Sequence, residues 1–518
     1  MKKTMKSLFI STITLVLGAS AIAANKPNII FVLTDDLGYG DVSCLNPDSK
    51  IKTPNIDNFA ASGITFTDAH TGSAVCTPTR YGVVTGRYAW RTGLKGGVVS
   101  GFAKSMIPND RTTMASMLKA QGYNTAFIGK WHLGWDWGVK DGFGASTKVS
   151  TNPKYNQIKP EGIDYSKPVT NGPATVGFDY YFGICGSLDM PPYVYVDNGI
   201  PTDPSNDKKI LDTVNRKGHI GSDFVQEEVQ PKIIEKSCEY IRKQAKADKP
   251  FFLYLPMTGP HTPILPTKDF QGRTTIGAYG DFVEEVDFLF AKIIKTLEEE
   301  GIRDNTIVVF TSDNGCSPAA RYADLHKKGH YPSAQFRGQK GDLYDGGHRV
   351  PCMISWPAKI KKGQLADQTI CLTDFLATFA DIAGYKLKDN EAEDSVALTT
   401  VLKDPKGAKE VRSSIVHHAY YGAFAVRMGD WKLLVHPAGG GFDDKKLKLD
   451  QLPPLQLYNM KDDIGEKNNL YASNPEKAKE LLTQLRKIIE EGRNSEGAKQ
   501  ANDPTDKWVE LEDVMKNY

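Results

Sequence analysis

The stretch Ile29-Ile30-Phe31-Val32-Leu33-Thr34-Asp35-Asp36 reads as a β-strand that runs out onto two adjacent carboxylates. Three further runs of β-branched and aromatic residues repeat its character: Thr125–Ile128, Phe251–Leu255 and Thr306–Phe310. Longer amphipathic segments separate them. From Phe282 to Glu300, Val283, Val286, Phe290, Ile293, Ile294 and Leu297 recur at helical spacing, and Gly301 follows as a C-terminal stop. Segments Asp223 to Lys246 and Thr112 to Ala120, the latter ending at Gly122, follow the same scheme. Short strands alternating with such helices predict an α/β fold, a mainly parallel or mixed central sheet flanked by helices.

Around that frame the chain divides into three parts. Lys2, Lys3 and Lys6, an apolar stretch from Leu8 to Leu17 and the small residues Gly18 to Ala24 have the order of a secretory signal peptide over residues 1–24. A membrane span needs ~18 or more nearly uncharged apolar residues, whereas Ser11, Thr12 and Thr14 interrupt this shorter run. Cleavage after Ala23 or Ala24 predicts a periplasmic or secreted product with no membrane anchor. The catalytic α/β part is expected over residues 25–400. Within it, 135–220 is rich in Gly, Pro, Asn, Asp and Tyr and reads as long loops over one face. Near residue 400 the pattern changes. Phe424–Met428 and Trp431–His436 flank a Gly429-Asp430 turn as a hairpin, and Asn474-Pro475 to Glu491, then Gly492, read as a capped helix. A smaller α+β subdomain is therefore expected over 401–518.

Composition excludes several classes. With 518 residues, 40% of them hydrophobic and 24% charged, the chain has ample material for a core. Its formal charge of +2 offers no broad cationic face for a nucleic acid. Removing residues 1–24 takes away three lysines and no acid, leaving 61 basic residues against 62 acidic. Seven scattered cysteines, Cys44, Cys76, Cys185, Cys238, Cys316, Cys352 and Cys371, match neither a disulfide scaffold nor a CxxC zinc site, and their odd number leaves at least one unpaired.

Ligands of open α/β sheets sit beyond the carboxyl ends of strands. There, Asp35 and Asp36 follow the first strand and Asp313 and Asn314 the last: three carboxylates and an amide oxygen, a set suited to Ca²⁺ more readily than zinc. Thr125–Ile128 leads into Gly129-Lys130-Trp131-His132, and Phe251–Leu255 into Pro256-Met257-Thr258-Gly259-Pro260-His261. An ammonium binds an oxyanion, and a His of suitable pKa donates a proton to a leaving oxygen. Lys340 lies in the Gly-rich run Arg337-Gly338-Gln339-Lys340-Gly341, whose backbone could approach an anion closely.

Cys76-Thr77-Pro78-Thr79-Arg80 places a thiol just before a helix start, in the positive field of its N-terminus, with Arg80 one turn along. Cys-x-Pro-x-Arg resembles the activation motif of the type I, formylglycine-dependent sulfatases, arylsulfatase-like enzymes of the alkaline phosphatase superfamily. The resemblance covers roughly residues 27 to 470, including Ala425 to Leu433 and Leu457-Tyr458-Asn459 through Asn469-Leu470. Asp345 departs from it, standing where the family often has Glu. It implies that Cys76 is oxidised to Cα-formylglycine, whose hydrated aldehyde is the nucleophile. It further implies Arg80 as stabilising partner, Asp35, Asp36, Asp313 and Asn314 as calcium ligands, and Lys130, His261 and Lys340 as substrate-binding as well as catalytic groups. His261 would be the general acid, and His132 would take the proton that lets sulfate leave.

Implied partners are a sulfated carbohydrate, with galactose or N-acetylgalactosamine 6-O or 4-O sulfate favoured, and a formylglycine-generating or anaerobic sulfatase-maturating enzyme. Candidate specificity elements are Trp135, Asp136 and Trp137, the run Gly186 to Tyr195, and Arg321 to His330. Two alternatives stay open at this point: a phosphate or phosphonate ester hydrolase of the same superfamily, and a non-catalytic sulfated-glycan-binding protein. Lys130 and Lys340, standing where a phosphatase needs the charge of a second metal, favour sulfate.

Overall fold

Strand β1 (Asn28–Thr34) is hydrogen-bonded in parallel to β7 (Phe251–Pro256) on one side and β8 (Thr306–Ser312) on the other. The computed structural model describes residues 26–143, 152–206, 210–211, 216–503, 508 and 511, so the expected signal peptide at 1–24 lies outside the described residues. The sheet extends past β7 through β3 (Asn124–Lys130), β4 (Tyr180–Ile184), β5 (Val196–Asp197) and β6 (Ile200–Pro201). Past β8 it continues through β9 (Cys352–Ser355), β2 (Ile64–Phe66) and β10 (Gln364–Ala366). β8, β1, β7, β3 and β4 form a parallel centre; β9 runs antiparallel to β8.

Both faces of this centre are covered, which is why its strands are apolar throughout. Ile29, Phe31 and Leu33 point into one core, shared with α2 (Cys76–Thr85), α3 (Met114–Ala120) and α6 (Asp374–Ala383). The alternate residues Ile30 and Val32 enter a second core, shared with α1 (Pro54–Ala61), α4 (Val229–Gln244) and α5 (Ala278–Glu299). Of the six α5 residues expected on the apolar face, Val283, Val286, Phe290, Ile293 and Leu297 are buried there and Ile294 is partly buried against the same core. With the strands parallel and in register, the carboxyl ends of β1, β3, β7 and β8 fall along one edge.

The segment 135–220, expected as loops, instead supplies β4, β5 and β6. β4 pairs with β3 from Ala126↔Tyr180 to Lys130↔Ile184. Gly183 inside β4 hides the strand, since glycine weakens strand propensity. Sterics require it: a Cβ there would stand 1.9 Å from the Gly129 carbonyl oxygen. Helix α4 begins at Val229, later than Asp223, after a 3₁₀ turn over Gln226–Glu228.

The chain closes with a four-stranded antiparallel meander, β11 (Ile415–His418), β12 (Phe424–Met428), β13 (Trp431–Val435) and β14 (Gln456–Asn459). Helix α7 (Pro475–Glu491) packs Leu481, Leu482, Leu485 and Ile488 against it. Gly492 ends α7 in the left-handed region, as its position suggests, but the Asn474 side chain donates back to the Leu470 carbonyl and does not cap the helix. The short helix Thr399–Lys403 packs with the first core. Two buried ion pairs join the meander to the large sheet's loops, Lys432 to Asp345 (2.7 Å) and Arg427 to Asp68 (3.0 Å); Glu466 beyond β14 also holds Lys432 (2.8 Å), and Arg349 links Asp68 (2.9 Å) to Asp345 (3.1 Å) on the large sheet's side. All seven cysteines are free thiols, and only Cys44 is exposed.

Candidate active site

The two acidic clusters meet because β1 and β8 are neighbours. The Asp313 amide donates to the Thr34 carbonyl (3.0 Å) and the Asp36 amide to Asp313 Oδ1 (3.2 Å). Asp36 takes φ +66°, an unusual conformation for a non-glycine residue, which turns the chain sharply at the strand end. Asn314 Nδ2 donates to Asp36 Oδ1 (2.7 Å). After β7, the Gly259 carbonyl accepts from the Asp35 amide (3.1 Å) and its own amide donates to Gln230 Oε1 on α4 (2.5 Å), which holds the His261 loop over the same spot.

Cys76 is the first residue of α2, so the expectation of a helix start at this position holds. Pro78 falls in the first turn, where its missing N–H leaves no helical bond unmade. Arg80 has no exposed surface. Its guanidinium holds Asp313 Oδ2 through Nη2 (2.7 Å) and Nε (3.0 Å), donates from Nη1 to the Lys130 carbonyl (3.0 Å), and lies 3.5 Å from Asp35. The thiol itself is buried. Burial pushes its pKa up to about 11 despite the nearby Lys130 and Lys340 charges, so desolvation outweighs the helix field and the group is a neutral thiol at pH 7.

Lys130 ends β3 and reaches Asp35 Oδ2 (2.5 Å); Lys340 reaches Asp36 Oδ1 (2.6 Å). Despite burial, the Asp36 carboxylate raises the Lys340 ammonium above its ordinary range, and it stays charged. Gly129, before Lys130, has φ +140° and a Cβ there would sit 1.9 Å from the Pro256 carbonyl, so β3 and β7 approach closely only with glycine. His132 (φ +56°) shares an edge with its Nε2 2.9 Å from the Val99 carbonyl. That fixes the N–H on Nε2 and leaves Nδ1 a buried lone pair without a protein partner. Burial first, then Lys130 and Arg80, keep this ring neutral. His261 is the mirror case: Nδ1–H donates to the Thr262 carbonyl (2.6 Å), so Nε2 faces the acids, 3.8 Å from Asp36 Oδ2. Burial, then Lys340, lowers its pKa. The carbonyl of Val99, which orients His132, carries no side-chain signature and escapes a reading of the sequence.

All ten expected residues, Asp35, Asp36, Cys76, Arg80, Lys130, His132, His261, Asp313, Asn314 and Lys340, thus share one buried cluster. Asp35 Oδ1, Asp36 Oδ2 and Asn314 Oδ1 are buried acceptors without a hydrogen-bond donor. Orphaned acceptors of this kind in a native fold call for an ion or water. Three oxygens from three of the four proposed ligands fit a hard divalent cation. Asp35, Asp36 and His261 also present ligand atoms within 4.8 Å of one another. The three carboxylates are balanced by Arg80, Lys130 and Lys340, so a divalent cation would leave the cluster net positive and suited to an anion.

Of the specificity candidates, Trp135 and Trp137 are 0% and 3% exposed. They pack edge to face at 5.4 Å inside the first core and are unavailable to a ligand. Asp136 accepts from Asn171 and the Ser105 amide. His330 is buried against Asp41 (2.8 Å). From Gly186 to Tyr195, Ser187 donates to Asp189, and His261 and Lys130 act on that carboxylate against its burial to hold it below its ordinary pKa.

A sulfatase family model matches residues 27–385, and a model described as N-sulphoglucosamine sulphohydrolase, C-terminal, matches 339–495. The chain is 31% identical to an N-acetylgalactosamine-6-O-sulfatase of Bacteroides thetaiotaomicron, over 90% of this chain and 93% of the relative. It is 30% identical to bovine (Bos taurus) arylsulfatase A, over 92% and 90%. Among solved structures, one from work on glycosaminoglycan metabolism by Bacteroides thetaiotaomicron superposes with a TM-score of 0.77 at 30% identity, covering 90% of this chain and 99% of that one. The fold is that of these alkaline phosphatase-like proteins.

Proposed function

Because the chain belongs to the sulfatase family and is a sulfuric ester hydrolase, we propose that it is an exported enzyme that removes O-sulfate from carbohydrate, taking galactose or N-acetylgalactosamine 6-sulfate. The name of the 31%-identical relative supports the sugar and the position. Among the described residues no helix is long and apolar enough to cross a membrane. We read residues 25–400 as the catalytic part and 401–518 as a smaller subdomain.

The observation that carries the mechanism is the clustering of the six functional side chains around three unpartnered, cation-ready oxygens. Asp35, Asp36, Asp313 and Asn314 would hold Ca²⁺, which supplies charge against the sulfate oxygens. Cys76, a neutral thiol and hence a poor nucleophile as it stands, is the precursor of formylglycine, made by a dedicated maturating enzyme. Formylglycine supplies a hydrated aldehyde as an oxygen nucleophile toward sulfur. Arg80 fixes position 76 against Asp313 and the Lys130 carbonyl. Lys130 and Lys340, each already on an aspartate, bind the sulfate oxygens and offset charge as the S–O bond breaks. His261 would act in its doubly protonated form: Nδ1–H stays on the Thr262 carbonyl, and the Nε2 proton, taken from solvent and favoured by the anionic sulfate bound beside it, goes to the departing sugar oxygen. His132, with Nε2–H tied to Val99, accepts a proton at Nδ1 from the group at 76.

A panel of mono- and disaccharides sulfated at defined positions, with aryl sulfate and the matching phosphate esters, tests this reading. Sulfate release from 6-O-sulfated N-acetylgalactosamine or galactose is expected. Turnover of aryl sulfates alone removes the glycan assignment; preference for phosphate esters removes the sulfate one.

A further inference from the structure

Beside Lys340 and outside the catalytic cluster, three segments distant in sequence build one aromatic and cationic lip. The Gly341 amide donates to the Ala74 carbonyl (2.9 Å), and its carbonyl accepts from the Tyr420 amide (2.9 Å). The Tyr420 carbonyl in turn accepts from the Gly97 amide (2.7 Å), two residues before the Val99 that orients His132. Tyr420 therefore bridges the loop of Lys340 and the loop whose Val99 orients His132. Its ring lies 4.5 Å from that of Phe442 and 4.9 Å from that of Tyr421. Across Gly97, a Cβ would meet Lys154 Nζ at 3.2 Å, so the Lys154 side chain lies over that glycine and next to Tyr155. The two outer rings are open to solvent, Tyr155 being 69% and Tyr421 39% exposed. Each has an ammonium near its face, Lys154 at 6.0 Å and Lys445 at 5.4 Å.

Exposed tyrosines flanked by lysines at the mouth of an anion-binding site have a specific chemistry. Ring faces stack on the C–H faces of a pyranose, and ammonium groups pair with a carboxylate or sulfate on it. Backbone hydrogen bonds on both sides fix the lip to the loop of Lys340 and to the loop that orients His132, which sets it beside the site for a chain whose end lies at Lys340. We propose that Lys154, Tyr155, Tyr421 and Lys445 form a second sugar subsite, which holds the residue next to the sulfated one when that residue carries an anionic group. The enzyme then prefers an anionic oligosaccharide to the free sulfated sugar. The inference rests on the carbohydrate sulfatase reading above.

Three substrates and two double variants test it. The substrates are 6-O-sulfated N-acetylgalactosamine, the same sugar at the non-reducing end of a uronic-acid-containing oligosaccharide, and its counterpart with a neutral second sugar. The variants are Tyr155→Ala with Tyr421→Ala, and Lys154→Ala with Lys445→Ala. All four side chains reach solvent, so melting temperatures stay those of the parent. In the tyrosine variant KM for both oligosaccharides rises about fivefold or more. In the lysine variant it rises for the uronic-acid substrate and not for the neutral one, and the salt dependence of that KM flattens. The monosaccharide keeps its kcat and KM in both. Unchanged KM for the uronic-acid oligosaccharide overturns the subsite, as does an equal loss on the monosaccharide. If the parent enzyme turns over none of the three, the activity reading fails and takes the subsite with it.

Discussion

Calcium should stabilise the folded chain through Asp35, Asp36 and Asn314, and the size of the effect follows from the site. Their three buried, unpartnered oxygens belong to the native state alone, because the unfolded chain scatters residues 35, 36 and 314. Binding to the native state alone adds about 2.7 kcal/mol when free calcium is a hundredfold above Kd. Unfolding entropy of about 2.1 cal/mol/K per residue makes ~1 kcal/mol per kelvin for a chain of this length, so the midpoint should rise by about 3 °C. Asn314→Leu removes one oxygen and the 2.7 Å hydrogen bond to Asp36. A tenfold weaker site would then give about 1.4 kcal/mol less stabilisation at the same calcium concentration. The assay is thermal denaturation after chelation, with calcium titrated back and magnesium as control. His132→Ala, which leaves the acids in place, should keep the full shift. A midpoint indifferent to calcium, or an Asn314→Leu protein that shifts as far as the parent, refutes the assignment of these oxygens to a cation.

Cys76→Ala should bind substrate yet lose turnover by about a thousandfold or more, read as sulfate release. His261→Gln should lower kcat by about 10²–10⁴ on sugar sulfates and far less on aryl sulfates with good leaving groups, so the ratio of the two rates reports the proton transfer. Lys432→Met strands Glu466 without its buried cation and leaves Asp345 with Arg349 alone, costing about 3–5 kcal/mol by chemical denaturation. Burial, aided by Lys95, holds His418 down to about 3. The unfolded chain takes up that proton below about pH 6.5 and the native one does not, so stability is full above 6.5 and lost as pH falls toward 3. His418→Gln should flatten that loss by up to about 1.4 kcal/mol per pH unit in denaturation series across the window.

The strand-end chemistry was legible because parallel strands put neighbouring motifs side by side. Asp35-Asp36 and Asp313-Asn314 are far apart in the chain and meet through one pair of hydrogen-bonded strands. Gly129 and Gly315 mark close approaches that any side chain would block: a Cβ at Gly315 would stand 1.9 Å from the Gly346 carbonyl. Strand β4 was hidden by Gly183, whose role appears only once Gly129 lies against it. Trp135 and Trp137 look like sugar platforms in a polar loop, yet their bulk is spent on the core. The helix start at Cys76 was legible and the state of its thiol was not, because burial depends on what packs over it. The Tyr420–Gly341 bond and the Asp345–Lys432 and Asp68–Arg427 pairs join residues more than 70 positions apart, and no local pattern announces such pairings.

The most direct test couples chemistry at position 76 to turnover. Protein prepared with graded amounts of a formylglycine-generating enzyme is digested with trypsin, and the converted fraction of the peptide spanning residues 53–80 is read by mass. The same samples are assayed for sulfate release from 6-O-sulfated N-acetylgalactosamine. The rate should rise in proportion to the aldehyde-bearing fraction and extrapolate to zero for the thiol. Full activity in protein whose peptide carries only unmodified cysteine would contradict the mechanism.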